Sequence, residues 1–222
     1  MKRLQPRLLF AAVAAVALGG CYPGEVTTPD GSFKLRTALH LVQPTETPRT
    51  VFLLSDSQFS CETSSEESGE VSTDLIIQLG AMLREGSQNM IIRASRLDGG
   101  EWEGEYPVQP YDSVQWSGRW SEAFYMRVDE SKVGPNEWTP YYYTATEFTQ
   151  LIASDNGELV LAQEDDGDEE GELEASFNFR DIGVSGDFTS TPCELEDGMM
   201  QQTIRIIEDY LQDSNIDADQ AF

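Results

Sequence analysis

From residue 33 onward the chain alternates between two hydrophobic rhythms. Phe33, Leu35, Leu39 and Leu41 recur at every second place with Lys34, Arg36 and His40 between them, the pattern of a half-buried strand over residues 33–42. A second strand-like run covers 49–61 and a third covers 89–97. Between them the period changes: Leu75, Leu79, Met82 and Leu83 form a helical stripe, with cap candidates at Ser72–Asp74 and a stop at Gly86. After residue 101 short strands return between turns. Trp102, Tyr106 and Val108 fall on one side of Glu101, Glu103 and Glu105, and residues 116–128 read as a hairpin or a bulged strand around Gly118. Asp155-Asn156-Gly157 between two apolar runs predicts a tight hairpin, because Asn-Gly accepts the positive φ such a turn demands. In residues 171–181 Leu173, Ala175, Phe177 and Phe179 point one way and the polar residues the other, and a last strand runs to Cys193. Met200, Ile204, Ile207 and Leu211 then predict a C-terminal amphipathic helix.

Roughly nine strands with two helices predict a mainly β fold, an antiparallel β-sandwich-like domain or a curled antiparallel sheet. The pattern gives one domain over 33–213, a tail over 214–222, and no internal repeat. No His-rich, Cys-rich or glycine-rich phosphate motif interrupts it.

The first 32 residues follow neither rhythm. Lys2, Arg3 and Arg7 precede about a dozen apolar or small residues, whereas a helix crossing the hydrocarbon needs ~20. A charged start, a short apolar stretch and small residues before a break mark a secretory signal peptide, so residues 1–20 are expected to be removed. Leu18-Gly19-Gly20-Cys21 resembles the lipobox of bacterial lipoprotein precursors. The resemblance implies a diacylglyceryl group on the Cys21 sulfur, cleavage before Cys21 and acylation of its new amino group. Two or more acyl chains hold a protein on a membrane stably. Tyr22 in the next position resembles lipoproteins passed on to the outer membrane where the host has one. The reading of 21–32 is a lipidated cysteine and a tether. The alternative is a plain secreted protein whose first Cys enters a disulfide.

Cysteine arithmetic leaves Cys61 and Cys193 once Cys21 is set aside. Exported chains meet an oxidising compartment, and a bridge closing about 130 residues is worth ~5 kcal/mol at most. Two buried free thiols are the alternative. The stretch Gly186, Phe188, Cys193 also resembles, over about ten residues, the closing strand of some envelope lipoproteins, and implies no activity.

Charge narrows the partners. The chain carries 40 acidic and 14 basic residues, a net −26. Such a balance repels nucleic-acid phosphates, so no nucleic acid is expected as a partner. The expected partners are the membrane, through the lipid, and an envelope glycan or protein.

Three constellations carry candidate chemistry. Residues 164–172 place seven carboxylates in nine positions, and Asp165, Asp166 and Asp168 are candidate calcium ligands. Their spacing departs from the EF-hand order, and a solvated acidic loop is the competing reading. All four Trp lie between residues 102 and 138. Trp102, Trp116, Trp120, Trp138 and Tyr142 are candidates for a ligand face, since flat rings stack on sugars or anchor a partner. The competing reading is core, because Trp116, Trp120, Phe124, Met126 and Val128 share one parity. His40, the single histidine, falls on the polar parity of its strand and is expected at the surface. No G-x-S-x-G elbow is present, and Ser154-Asp155-Asn156 lacks the companion motifs of β-lactamases, so no catalytic residue and no cofactor beyond candidate calcium is assigned. The function expected is a non-catalytic binding or structural module of the cell envelope. A carboxylate-based hydrolase of envelope polysaccharide is the alternative.

Overall fold

The computed structural model describes residues 22–43, 48–59, 86–97, 101–110, 118–130, 147–163 and 171–193. Eleven strands make up this part and no helix occurs among the described residues: β1 Gly24–Thr28, β2 Gly31–Lys34, β3 Thr37–Gln43, β4 Arg49–Ser55, β5 Gln88–Arg96, β6 Gly104–Pro107, β7 Arg119–Glu130, β8 Glu147–Ser154, β9 Gly157–Gln163, β10 Leu173–Phe179 and β11 Val184–Pro192. They join into one curled mixed sheet in the order β6-β9-β10-β11-β3-β4-β5-β7-β8, with the β1–β2 hairpin on β11.

Most neighbours are antiparallel, as the alternating runs separated by turns predict. The curl is fastened by two parallel contacts. Thr191 and Pro192 of β11 pair with Leu39 and His40 of β3. At the far edge Val108, just after β6, bridges to Ser121 of β7, and Gln109 N–H donates to the Ser121 carbonyl at 3.0 Å. The path therefore returns on itself, and the enclosed side chains form the core.

That core takes one parity from each strand. β10 alternates buried and exposed over its whole length, as the sequence predicts. Phe177 stacks on Phe179 with ring centroids 4.9 Å apart, and Phe188 of β11 meets Phe52 of β4 edge-on at 5.3 Å. The β4–β5–β7 half is buried on both faces. Phe52, Leu54, Met90, Ile92, Ala123 and Tyr125 face the enclosed core. The intervening Val51, Leu53, Ile91, Phe124, Met126 and Val128 are buried on the outward row. Continuous apolar runs are the signature of a strand covered on both sides.

Four expectations change here. Residues 33–42 are two strands rather than one: β2 ends at Lys34, and the break at Leu35–Arg36 shifts the parity. Phe33, Leu35 and Ala38 face the core, and His40 turns inward with them, 4% exposed rather than at the surface. Residues 22–32, expected as a tether, are folded: Pro23 O accepts from Thr189 N–H at 2.7 Å and Val26 is fully buried. Asp155-Asn156-Gly157 does not close a hairpin. β8 pairs with β7, while β9 pairs with β10 and β6. The turn carries the chain from one half of the sheet to the other, held by Asp181, which accepts from Ser154 Oγ and Asp155 N–H at 2.7 Å each. Gly157 is needed because a Cβ there would meet the carbonyl oxygen of Asn178. Finally, of the two folds expected, the strands form the curled sheet and not the sandwich of two layers, and the sheet is mixed, with two parallel contacts, rather than purely antiparallel. The predicted internal and C-terminal helices, over 72–86 and 200–211, lie outside the described residues, Gly86 excepted.

Candidate binding site

The inward rows of β5 and β7 change character at one end. Along β5 the row reads Met90, Ile92, Ala94 and then Arg96, and along β7 it reads Tyr125, Ala123, Ser121 and then Arg119. The register places Arg96 directly opposite Arg119. Like charges opposite one another in a sheet destabilise it unless something offsets the repulsion. Here aromatic faces contribute. Arg96 Cζ lies 4.5 Å from the Trp102 ring centroid, and Arg119 Cζ lies 5.8 Å from that of Tyr106. Trp102 and Tyr106 stack on each other at 6.4 Å with 22° between planes. Each cation–ring contact contributes about 0.5–1 kcal/mol at a partly exposed place.

Local sequence builds this ladder. Alternation in EWEGEYPV sends Glu101, Glu103 and Glu105 to solvent and Tyr106 to full burial, as expected. The Tyr106 hydroxyl donates to the Trp102 carbonyl at 2.7 Å, which fixes the spacing of the two rings. Arg119 Nη1 donates to the Glu103 carbonyl, and Ser121 Oγ donates to the Tyr106 carbonyl at 3.0 Å. Gly118, at φ +69°, stands just before β7 in the left-handed region that glycine adopts freely, and Leu97 N–H donates to its carbonyl at 2.8 Å. Leu97 itself is 46% exposed beside Arg96, so this end of the sheet meets solvent.

The same end of the interior holds further polar groups. Thr50 continues the inward row of Leu54 and Phe52 and pairs with Ala94, the residue preceding Arg96 on its row. It is fully buried, and its hydroxyl has no hydrogen-bond partner. The Nε of Arg96 is likewise buried and without one. An unmade hydrogen bond at a buried hydroxyl costs about 1–3 kcal/mol.

His40 sits where β3 meets β11. Its Nδ1 lies 3.0 Å from Ser190 Oγ, and Ser190 Oγ donates to the Leu173 carbonyl at 3.2 Å. Burial lowers the imidazole pKa from 6.5 to about 4, with a hydrogen bond to the Ser190 backbone opposing the shift. On the outward row Arg93 forms an ion pair with Glu122, its register partner, and their side chains are 11% and 5% exposed.

Of the residues singled out from sequence, Trp102 is half-buried within the Arg–aromatic ladder, and Trp120 is 5% exposed on the outward row of β7. Cys193 is 5% exposed and disulfide-bonded, with a partner outside the described residues. Cys21, Cys61, Trp116, Trp138, Tyr142, Asp165, Asp166 and Asp168 also lie outside them. Among the described residues no three His, Cys, Asp or Glu side chains converge as metal ligands. Sequence reasoning passed over Arg96, Arg119 and Thr50, although the alternation of NMIIRASR already puts Arg96 on the row of Met90, Ile92 and Ala94. No protein-family model matches the chain, and neither a curated protein nor a solved structure matches it.

Proposed function

We propose that the protein is an exported bacterial lipoprotein, anchored through Cys21, whose β domain binds a cell-envelope glycan or protein at the Arg96–Trp102–Tyr106–Arg119 ladder without transforming it. The observation that carries this reading is the join between lipobox and fold. Cys21 stands three residues before β1, and Pro23 already hydrogen-bonds to β11. The lipid would thus hold the domain close against the bilayer, with Tyr22 half-exposed and Lys34 Nζ 5.0 Å from its ring centroid. Rings and cations of this kind favour a membrane–water interface. Where the host has an outer membrane, that is its destination.

Two finer structural readings belong with this proposal. Cys61 is the disulfide partner of Cys193. In support, Thr37 Oγ1 accepts from Phe59 N–H at 3.0 Å, two residues before Cys61, while His40 on the same strand accepts from Cys193 N–H at 2.8 Å. The amphipathic segments over 72–86 and 200–211 are read as helices on their apolar periodicity.

The test is co-sedimentation of the full chain, in detergent, with purified peptidoglycan and with extracted envelope glycans, while reducing ends are assayed. Retention without release is expected, weakened about tenfold or more by Trp102→Ala. Released reducing ends would replace the binding module by a hydrolase. Neither retention nor release would leave a protein partner or a structural spacer.

A further inference from the structure

We infer that the Arg96 end of the core is an oxyanion site that recognises a carboxylate or phosphate group on the ligand. The inference rests on the binding-module reading of the same ladder and gives it a chemical class.

Three observations converge on it. The first is the register, which sets two guanidinium side chains opposite each other on neighbouring strands of a protein with a net charge of −26. The neighbouring glutamates 101, 103 and 105 point to solvent, so the alternation of the strand turns carboxylates away from the place where the arginines gather. The second is how Arg96 is held. Its Cζ lies over the Trp102 ring, 4.5 Å from the centroid, so a cation–ring contact holds the guanidinium in place. A guanidinium held on a ring takes an oxyanion in its plane, often through two parallel hydrogen bonds. Its Nε is buried and makes none. The third is Thr50, fully buried on the inward row of the adjacent strand, whose hydroxyl has no partner. Through Ala94 the register brings it diagonal to Arg96, so it can offer a donor to an anion that Arg96 binds. One anionic group, admitted as the Arg96 and Thr50 side chains part, accepts from both orphaned polar atoms and reduces the Arg96–Arg119 repulsion.

The ligand is a compact anionic group rather than a polyanion. The surface charge repels an extended row of phosphates, whereas a single carboxylate or phosphate on an otherwise neutral saccharide can reach two arginines beside an exposed apolar rim at Leu97.

The test is tryptophan fluorescence of the full chain in detergent, titrated separately with inorganic phosphate, glucuronate and glucose, with chloride holding ionic strength constant. Trp102 reports because it touches Arg96. A saturable change with phosphate or glucuronate and none with glucose is expected, and the arm that saturates tells phosphate from carboxylate. Arg96→Gln is expected to weaken it at least about tenfold, Thr50→Val by about threefold, and Arg96→Lys to an intermediate extent, with circular dichroism checking that each variant folds. No saturation with either anion at tens of millimolar, or equal affinity in Arg96→Gln and the unaltered chain, overturns the inference. The two proposals fail separately. Anion binding without retention on any glycan keeps the site and sinks the glycan reading. Glycan retention undiminished by Arg96→Gln keeps the module and sinks the oxyanion site.

Discussion

Acidification should weaken this fold through one side chain. His40 is the single histidine of the chain, 4% exposed, at the seam where β11 passes from β1 to β3. Its imidazole stays neutral in the folded protein down to about pH 4, whereas in the unfolded chain it titrates near 6.5. Between those two values the unfolded chain binds a proton that the folded protein does not, so stability falls as the pH falls. Above 6.5 the histidine has no effect on the pH dependence, and below about 4 its contribution to the slope ends. The gap from 6.5 to about 4 corresponds to about 3 kcal/mol lost in all, at ~1.4 kcal/mol for each pH unit. With a urea dependence of about 1–3 kcal/mol per molar, the unfolding midpoint should drop by roughly 1–3 M across this range. Carboxylates titrate over part of the same window, and His40→Gln separates the two. The difference between the midpoints of the original and His40→Gln chains should narrow or reverse toward pH 4, because only the original carries the histidine. A difference that stays flat from pH 7 to pH 4, or one in which acid favours the original chain, would refute the reasoning.

Three further outcomes follow from the packing. Gly157→Ala should lose about 2–3 kcal/mol or more, since its Cβ would meet the Asn178 carbonyl, while Gly31→Ala, at φ +138° with nothing within 4 Å, should lose about 1; paired thermal melts compare them. Arg93→Met alone should cost about 3–5 kcal/mol by removing the guanidinium paired with the buried Glu122 carboxylate, whereas Arg93→Met with Glu122→Leu should recover most of that loss in urea unfolding. Phe177→Ala should cost about 3–5 kcal/mol, because this ring is 4% exposed and touches both Phe179 and Phe188; a loss under 1 kcal/mol would contradict the described core.

What could be read along the chain was whatever depends on neighbouring positions. The alternation of Leu173, Ala175, Phe177 and Phe179 is the burial pattern of β10, and that of Tyr106 between exposed Glu105 and Pro107 is the pattern of β6. Pairing is different. Asp155-Asn156-Gly157 has the local chemistry of a hairpin, but β9 is held by β10 and β6, and which strand wins is decided by residues far away in the chain. His40 was misplaced for a local reason of another kind. A break at two residues, Leu35 and Arg36, exchanges the faces of everything after it, and a periodicity count that runs through the break assigns the wrong side. The folding of Gly24–Thr28 rests on one buried Val26 in a polar string, too little apolar signal to mark a strand. At the site, the inward parity of Arg96 was legible, but its opposition to Arg119 needed the register, and the orphaned Thr50 hydroxyl needed its surroundings.

The central claim, a lipid-held domain, rests on the sulfur of Cys21. The most direct measurement is metabolic labelling of the full-length chain with a radioactive fatty acid in a bacterial host, together with mass spectrometry of the mature amino terminus. The account predicts labelled protein in the membrane fraction that begins at a diacylglyceryl-modified Cys21, and loss of label from Cys21→Ser. Label that persists in Cys21→Ser, or a mature chain with a free thiol at Cys21, would contradict it.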